Sequence, residues 1–502
     1  VAGCPAFSLL PQYIFVRMSP SLLFSFVIGY FVILLLVAWY TGRNSNNDSF
    51  FIGNRNSNWM LVAFGMIGTS LSGVTFVSVP GAVGRDAFGY FQITLGYLIG
   101  YITIAYVLLP LYYRLQLTSI YNYLHNRLGM LSYKTGASFF ILSRTLGATA
   151  RLYLVVNILQ EAILQSFGVP FWLTTLIILV MILLYTYEGG VKTIVYTDTL
   201  QTTCMLLGLI ICVVYILNTL HIGFGESITA MQERGMTKVF FTDPHSKSFF
   251  LKQILAGAFI TITMTGMDQE MMQKNISVKT LKDSQKNILS LSLIMMVVLL
   301  LFLFLGGLLH LYGAEQQVKA SGDQLFPEIA LHHMPPIISV IFIIALISAL
   351  FPSADGAMTA LTASFCIDIL GMQRKTGWTD AQKKKIRQRI HLLFAFIFLV
   401  FVLVFKWVNN QSMINVILKV ASYTYGPLLG LFAFGILNKK QVKDRLVPVV
   451  CVLAPLVCFL IDTYQKQLFG SFEIGLELLL INGGLTYLGL LLIQQKQPAG
   501  AV

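Results

Sequence analysis

Long apolar runs separated by short polar stretches set the pattern of this chain, and they fall near residues 21–42, 58–83, 87–115, 136–166, 168–187, 190–220, 249–273, 284–312, 336–370, 391–408, 413–438, 446–465 and 474–495. Each of these thirteen runs meets or approaches the ~20 residues that a helix needs to cross ~30 Å of hydrocarbon. The period-two alternation of a membrane barrel is missing from them, so the expected fold class is all-α integral membrane, with about 13 transmembrane helices. The longest loops, near 221–248 and 313–335, have neither the length nor the composition of a soluble domain, which leaves residues 18–502 as a single transmembrane domain. Residues 1–17 read as an N-terminal extension, expected to be disordered and without the apolar stretch of a signal peptide, and Met18 is a candidate start.

Composition agrees with lipid as the main solvent, since 56% of residues are hydrophobic and 11% charged. A net charge of +13 would suggest a nucleic-acid partner in a soluble protein. Threading the runs from an outside N-terminus changes that reading. It places Lys274, Lys279, Lys282 and Lys286 in one inner loop and Arg374, Lys375, Lys383, Lys384, Lys385, Arg387 and Arg389 in another. Lys439, Lys440, Lys443 and Arg445 fall in a third. Basic residues gathered on one side are the positive-inside pattern, so the C-terminus is expected in the cytoplasm, in a plasma membrane of the bacterial inner-membrane kind, with no nucleic acid involved. Of the 6 cysteines, Cys204, Cys212, Cys366, Cys451 and Cys458 lie inside apolar runs without metal-ligand spacing, and they read as small core hydrophobes.

Two runs carry unusual concentrations of small and hydroxylic residues. The first contains Gly65, Gly68, Ser70, Ser72, Gly73 and Pro80; the other contains Gly257, Thr261, Thr263, Thr265 and Gly266 before an abrupt Asp268, Gln269 and Glu270. Paired spans of this kind, five helices apart, mark discontinuous helices whose unwound backbone faces an ion or solute. Close helix packing through glycine gives the same pattern, and these residues alone admit both readings.

The motifs NDSFFIGNRNSNW at 47–59, VLLPLYYRLQLTSIYNYLHNRLG at 107–129, EGGVKTIVYTDTLQ at 188–201, TGMDQEMMQKNISVKTLKDSQKN at 265–287, SADGAMTALTASFCIDIL at 353–370 and YGPLLGLFAFGIL at 425–437 occur in one order. In that order the chain, from Met18 to about Lys440, resembles the solute:sodium symporter family, whose members carry sugars, proline, vitamins, iodide and sialic acid. The resemblance implies a leading helix (21–42), two inverted five-helix repeats (58–220 and 249–438) and trailing helices (446–495), the arrangement known as LeuT-type. It also implies sodium-coupled symport of a small polar solute into the cell by alternating access. The co-transported sodium ion stands in the place of a cofactor.

Family position further implies a sodium site where the first core helix breaks against the eighth: carbonyls of Gly68 and Leu71, the carbonyl of Ala349 and the hydroxyl of Ser353. Ala349 and Ser353, four residues apart, share one helix face, as ligands of a hard cation must. Pro352 departs from the family by replacing a hydroxyl ligand, although proline keeps a carbonyl and releases another upstream. Asp198, with Thr202 one turn along, matches the aspartate that helps hold a second sodium ion in relatives with two. An ionised group at that depth is functional by default, and the alternative is a structural pair with a basic residue such as Arg144. Asp355, Thr359 and Thr362 form a stripe that could face it.

For the substrate, the positions that carry amides and a gating tyrosine in the sugar branch hold Thr75, Thr261, Met264 and Lys419, joined by Ser72 at the break. Arg151 matches the arginine with which sialic acid carriers hold the substrate carboxylate, and Lys419 is expected nearby. Arg144 lies seven residues before Arg151, so that one of the two lines a cavity while the other is paired. The expected substrate therefore bears a carboxylate, as sialic acid does. A neutral-solute carrier or a transporter-like sensor is the alternative. No acid, base or nucleophile constellation stands at one face, so no catalytic residues and no enzyme are expected, and nothing calls for an obligatory protein partner beyond the lipid bilayer.

Overall fold

A computed structural model describes residues 19–42, 50–51, 53–375, 377–408 and 413–495; the extension expected at 1–17 lies outside the described residues. In chain order the principal helices are α1 (Pro20–Gly42), α2 (Trp59–Asp86), α3 (Tyr90–Arg114), α4 (Met130–Ala162), α5 (Phe171–Tyr187) and α6 (Thr193–Thr219). They continue with α7 (Phe250–Gly266 and Gln269–Ile276), α8 (Leu281–Glu315), α9 (Pro336–Ile369), α10 (Asp380–Trp407), α11 (Met413–Thr424 and Gly426–Leu437), α12 (Asp444–Phe469) and α13 (Leu478–Leu492). Among the described residues, nine of these are long and apolar enough to cross a membrane, or eleven when the bent pairs α7 and α11 each count as one span. Helices α5 and α13 are shorter and apolar, and every hydropathic run falls on one of the helices named. Three short helices, Asn122–Arg127, Phe224–Glu233 and Leu325–His332, lie between them, and Gln441–Val442 pairs antiparallel with Gln494–Gln495, Gln441 opposite Gln495.

Burial locates the core. The apolar stretch of α9 is 83% buried and that of α2 78%, against 22% for α12, so α2 and α9 form the centre while α12 lies at the periphery. Phe76 of α2 packs on Phe342 of α9 and on Phe302 of α8 with ring centres 6.0 and 5.6 Å apart. On the outer helices large apolar side chains such as Leu36, Phe396 and Leu453 stay exposed, the arrangement that lipid favours.

Local chemistry explains where helices start and break. Asn58 opens α2 by accepting the amide of Met60 at 2.9 Å, and Pro336 and Pro427 stand in first turns, where a missing N–H costs nothing. Helix α2 turns at Ser72, whose φ of 55° and ψ of 165° leave the helical region. Helix α7 bends by 65° after Gly266, and its second half restarts on Asp268, whose carboxylate accepts the amides of Glu270 and Met271. Helices α5 and α6 run together through Gly190 at φ 55°, where an added Cβ would lie 2.5 Å from the Cα of Phe50.

Two basic residues assigned to inner loops from the hydropathy pattern lie elsewhere. Lys274 is 3% exposed within the second half of α7, and Arg387 is buried with its guanidinium over the ring of Phe50. Lys274 is carried inward by the bent second half of α7, and Arg387 stands on the inner face of α10 while Lys384, Lys385 and Arg389 stay exposed, so an inner-loop position did not imply contact with water.

Candidate functional site

A cavity, about 720 Å³ when the open solvent at its mouth is counted, lies between the break of α2 and helices α3, α4, α7, α8 and α11. Ser72 and Thr75 of α2 and Thr261 and Met264 of α7 line it. Tyr90, Tyr97 and Tyr101 form a wall on α3, where spacings of seven and four residues put them on one helix face. The hydroxyls of Tyr90 and Tyr97 are 3.0 Å apart. Met271, Met295, Ile414, Ile417 and Leu418 make the apolar side, and the lining holds no carboxylate or carboxamide side chain.

Arg144 and Arg151 both border this space from α4. Arg144 is paired with Glu270 of α7 in a salt bridge. Arg151 makes no ion pair or hydrogen bond among the described residues and is half-buried, so its planar fork of donors faces the cavity.

Lys419 departs from the expected arrangement. Its side chain is 63% exposed and its ammonium lies 2.9 Å from Asp462 of α12, outside the cavity. The face of α11 turned inward carries Ile414, Ile417, Leu418 and Ala421, a spacing of three and four residues that excludes position 419.

The residues expected around sodium fall into two groups. In the first, the break of α2 lies directly against α9: a Cβ at Gly68 would sit 3.4 Å from the ring of Pro352, and one at Gly73 would sit 3.7 Å from the Leu350 backbone. The non-helical φ and ψ of Ser72 interrupt the regular bonding pattern just after Gly68 to Leu71, and carbonyls at such a helix end can lose their intrahelical donors. Opposite them Ala349, Pro352 and Ser353 are buried; the Ser353 hydroxyl donates to the Leu350 carbonyl at 2.9 Å, and its lone pairs remain to accept or coordinate. Pro352 removes the amide that would bond the Ser348 carbonyl, so one further oxygen is released in this stretch.

The second group centres on Asp198 and differs from the expectation. Its carboxylate is paired with Lys274 rather than with Arg144: Nζ lies 2.7 Å from Oδ2 and also donates to the Thr69 hydroxyl at 2.7 Å. Thr69 donates in turn to Asp198 at 3.2 Å. One turn before Lys274, Glu270 lies 3.9 Å from the same ammonium while it holds Arg144. Thr202 keeps α2 close to α6 by accepting the Gly68 amide at 3.2 Å. Asp355 accepts from Tyr185 at 2.8 Å, whereas Thr362 turns to His391 at 2.9 Å, so the expected stripe is divided between two neighbours.

The α7 break offers fewer carbonyls than its sequence suggested. The Gly266 carbonyl accepts the Tyr112 hydroxyl at 2.8 Å, the Met267 carbonyl accepts that of Tyr121 at 2.9 Å, and Asp268 accepts that of Tyr425 at 2.7 Å. Sequence reading named neither these tyrosines nor Thr69, Glu270 and Lys274 as site residues. The stripe at 90, 97 and 101 and the four-residue spacing of Glu270 and Lys274 were the available signals.

The model of the Sodium:solute symporter family matches residues 50–444. The sodium-dependent multivitamin transporter of Oryctolagus cuniculus is 24% identical over 76% of this chain and 60% of its own, so the chain spans about three fifths of that relative's length. The sodium/sialic acid symporter SiaT of Proteus mirabilis is 21% identical over 86% of this chain and 88% of its own. Among solved structures, a substrate-bound outward-open Na+-coupled sialic acid symporter superposes with a TM-score of 0.81 at 19% identity, covering 94% of this chain and 97% of that one. At this identity the likeness speaks for the fold alone: an all-α membrane architecture with an inverted five-helix repeat core.

Proposed function

The chain belongs to the Sodium:solute symporter family, and from that premise we propose that it carries a small carboxylate-bearing solute, such as sialic acid, into the cell by sodium-coupled alternating access. The observation that carries the substrate half of this reading is Arg151. A cation with no ion pair among the described residues, facing a cavity, asks for an anion, because burying it without a partner is costly. Arginine in particular suits a carboxylate, to which it donates two parallel hydrogen bonds. The ion half rests on the carbonyls released at Ser72 of α2, set against Ala349, Pro352 and Ser353, an all-oxygen surround of the kind a hard cation prefers. The thirteen helices are read as thirteen spans, with the N-terminus outside, the C-terminus in the cytoplasm and the protein in the plasma membrane.

Uptake of labelled N-acetylneuraminic acid into proteoliposomes tests the proposal. Uptake is expected with an inward sodium gradient and not with choline, and the free acid is expected to compete far better than its methyl ester. Equal competition by acid and ester, or a neutral hexose as the best competitor, sinks the carboxylate reading; ligand binding without any flux supports a sensor instead. The apolar side of the cavity, Met264, Met271, Met295, Ile414 and Leu418, favours as a second reading a carboxylate with an apolar body.

A further inference from the structure

We propose that Lys274 is a built-in cation whose ammonium fills the place beside Asp198 that a second sodium ion would take, so that the protein binds one sodium ion per transport cycle. The inference rests on the sodium-coupled reading above and adds the ion count to it.

The ammonium occupies a cation's surroundings. It lies 2.7 Å from a carboxylate oxygen of Asp198 and 2.7 Å from the Thr69 hydroxyl, with a second carboxylate, that of Glu270, at 3.9 Å. An ammonium has three donors and no acceptor, so these oxygens satisfy it as they would a metal ion. Lys274 and a sodium ion carry the same unit charge. Two such charges sharing one carboxylate would repel strongly where both are out of water, so one excludes the other.

The lysine is also held in place. Its helix starts on the Asp268 cap, and Glu270, one turn earlier, is tied to Arg144 of α4. With 3% of its surface exposed, Lys274 has no water to retreat into, and leaving Asp198 would strand two charges at once. The family's ion coordination at Gly68, Leu71, Ala349 and Ser353 does not involve this pair, so that first site stays open to sodium.

The surroundings of Asp198 show what would happen without the lysine. Its second oxygen, Oδ1, has no partner among the described residues, and neither do Oδ1 of Asp355, the Thr359 hydroxyl or the side-chain amide of Gln201, all buried. Asp355 stands within electrostatic reach of both Asp198 and Lys274. Two carboxylates and unpartnered neutral oxygens then form a cation seat lacking only the exit of the tethered charge. Replacing Lys274 with a neutral residue of similar length should convert that seat into a second sodium site.

Binding of radioactive sodium to the purified full-length chain, counted per molecule at constant ionic strength with choline chloride, reads this directly. One ion is expected for the wild type and for Lys274→Arg, and two for Lys274→Met. Two ions in the wild type, or an unchanged count of one in folded Lys274→Met, overturn the proposal. Should Lys274→Met fail to fold, the charge-balanced pair Asp198→Asn with Lys274→Met decides: it keeps one ion with unchanged affinity if Asp198 serves the lysine, and loses an ion if Asp198 is a sodium ligand. A wild type that binds no sodium at all overturns instead the sodium-coupled reading and leaves the two failures distinct.

Discussion

Arg144 and Arg151 lie seven residues apart on α4, yet their surroundings give them different work. Arg144 neutralises Glu270, whereas Arg151 presents its donors to the cavity. Because a lysine keeps the charge but cannot supply two parallel hydrogen bonds, Arg151→Lys is expected to weaken binding of the transported acid by roughly 1–3 kcal/mol, measurable as the shift in half-saturation of uptake. Lys419→Ala is expected to leave that half-saturation unchanged, since the lysine faces Asp462 and solvent. The contrast shows what sequence could and could not provide at this scale. Arg151 was legible because an arginine inside an apolar run has few bland explanations. Lys419 was misplaced because its family position was trusted over the helical spacing of Ile414, Ile417, Leu418 and Ala421, which already turned it away from the cavity. Lys274 was missed because a lysine just beyond an apolar run looks like a loop charge until the bend after Gly266 brings it back inside.

At the scale of elements, the broken helices matter through what meets them. Helix α9 approaches the second half of α7 so closely that a Cβ at Gly356 would lie 2.4 Å from Oε1 of Glu270. Gly356→Ala should therefore push Glu270 away from Arg144 and lower stability by about 1–3 kcal/mol, read as a lower melting temperature of the purified protein. The same substitution at Gly147, which faces open space, serves as the control and should leave melting nearly unchanged. The clusters of small and hydroxylic residues lie where α2 and α7 break, although the same pattern also fits close packing, and in α2 the residue that leaves the helix is Ser72 rather than a glycine. They could not predict that the α7 carbonyls are claimed by Tyr112 and Tyr121, more than a hundred residues away in sequence. Long-range partners of that kind depend on the packing of whole helices, which no local pattern records.

For the whole molecule, the repeats are joined by charges as well as by apolar contact. Thr69, Arg144 and Asp198 come from α2, α4 and α6, and Glu270 and Lys274 from α7. Orientation in the membrane is the matching expectation at this scale. With the basic segment at 374–389 in the cytoplasm, a cysteine introduced at Lys384 should resist an impermeant thiol reagent in intact cells and react once the membrane is permeabilised. Reaction from outside would reverse the topology. The joint between the repeats has one more consequence. Its charged side chains are 1–5% exposed, so the cloud of mobile ions that screens charges in water over about 8 Å at physiological salt cannot form around them. Added potassium or choline chloride will loosen Lys419 from Asp462 at the surface while the inner pairs keep their full attraction. Inert salt is thus a silent background for this joint, and a response of the repeats that sodium alone evokes reports recognition of the ion itself.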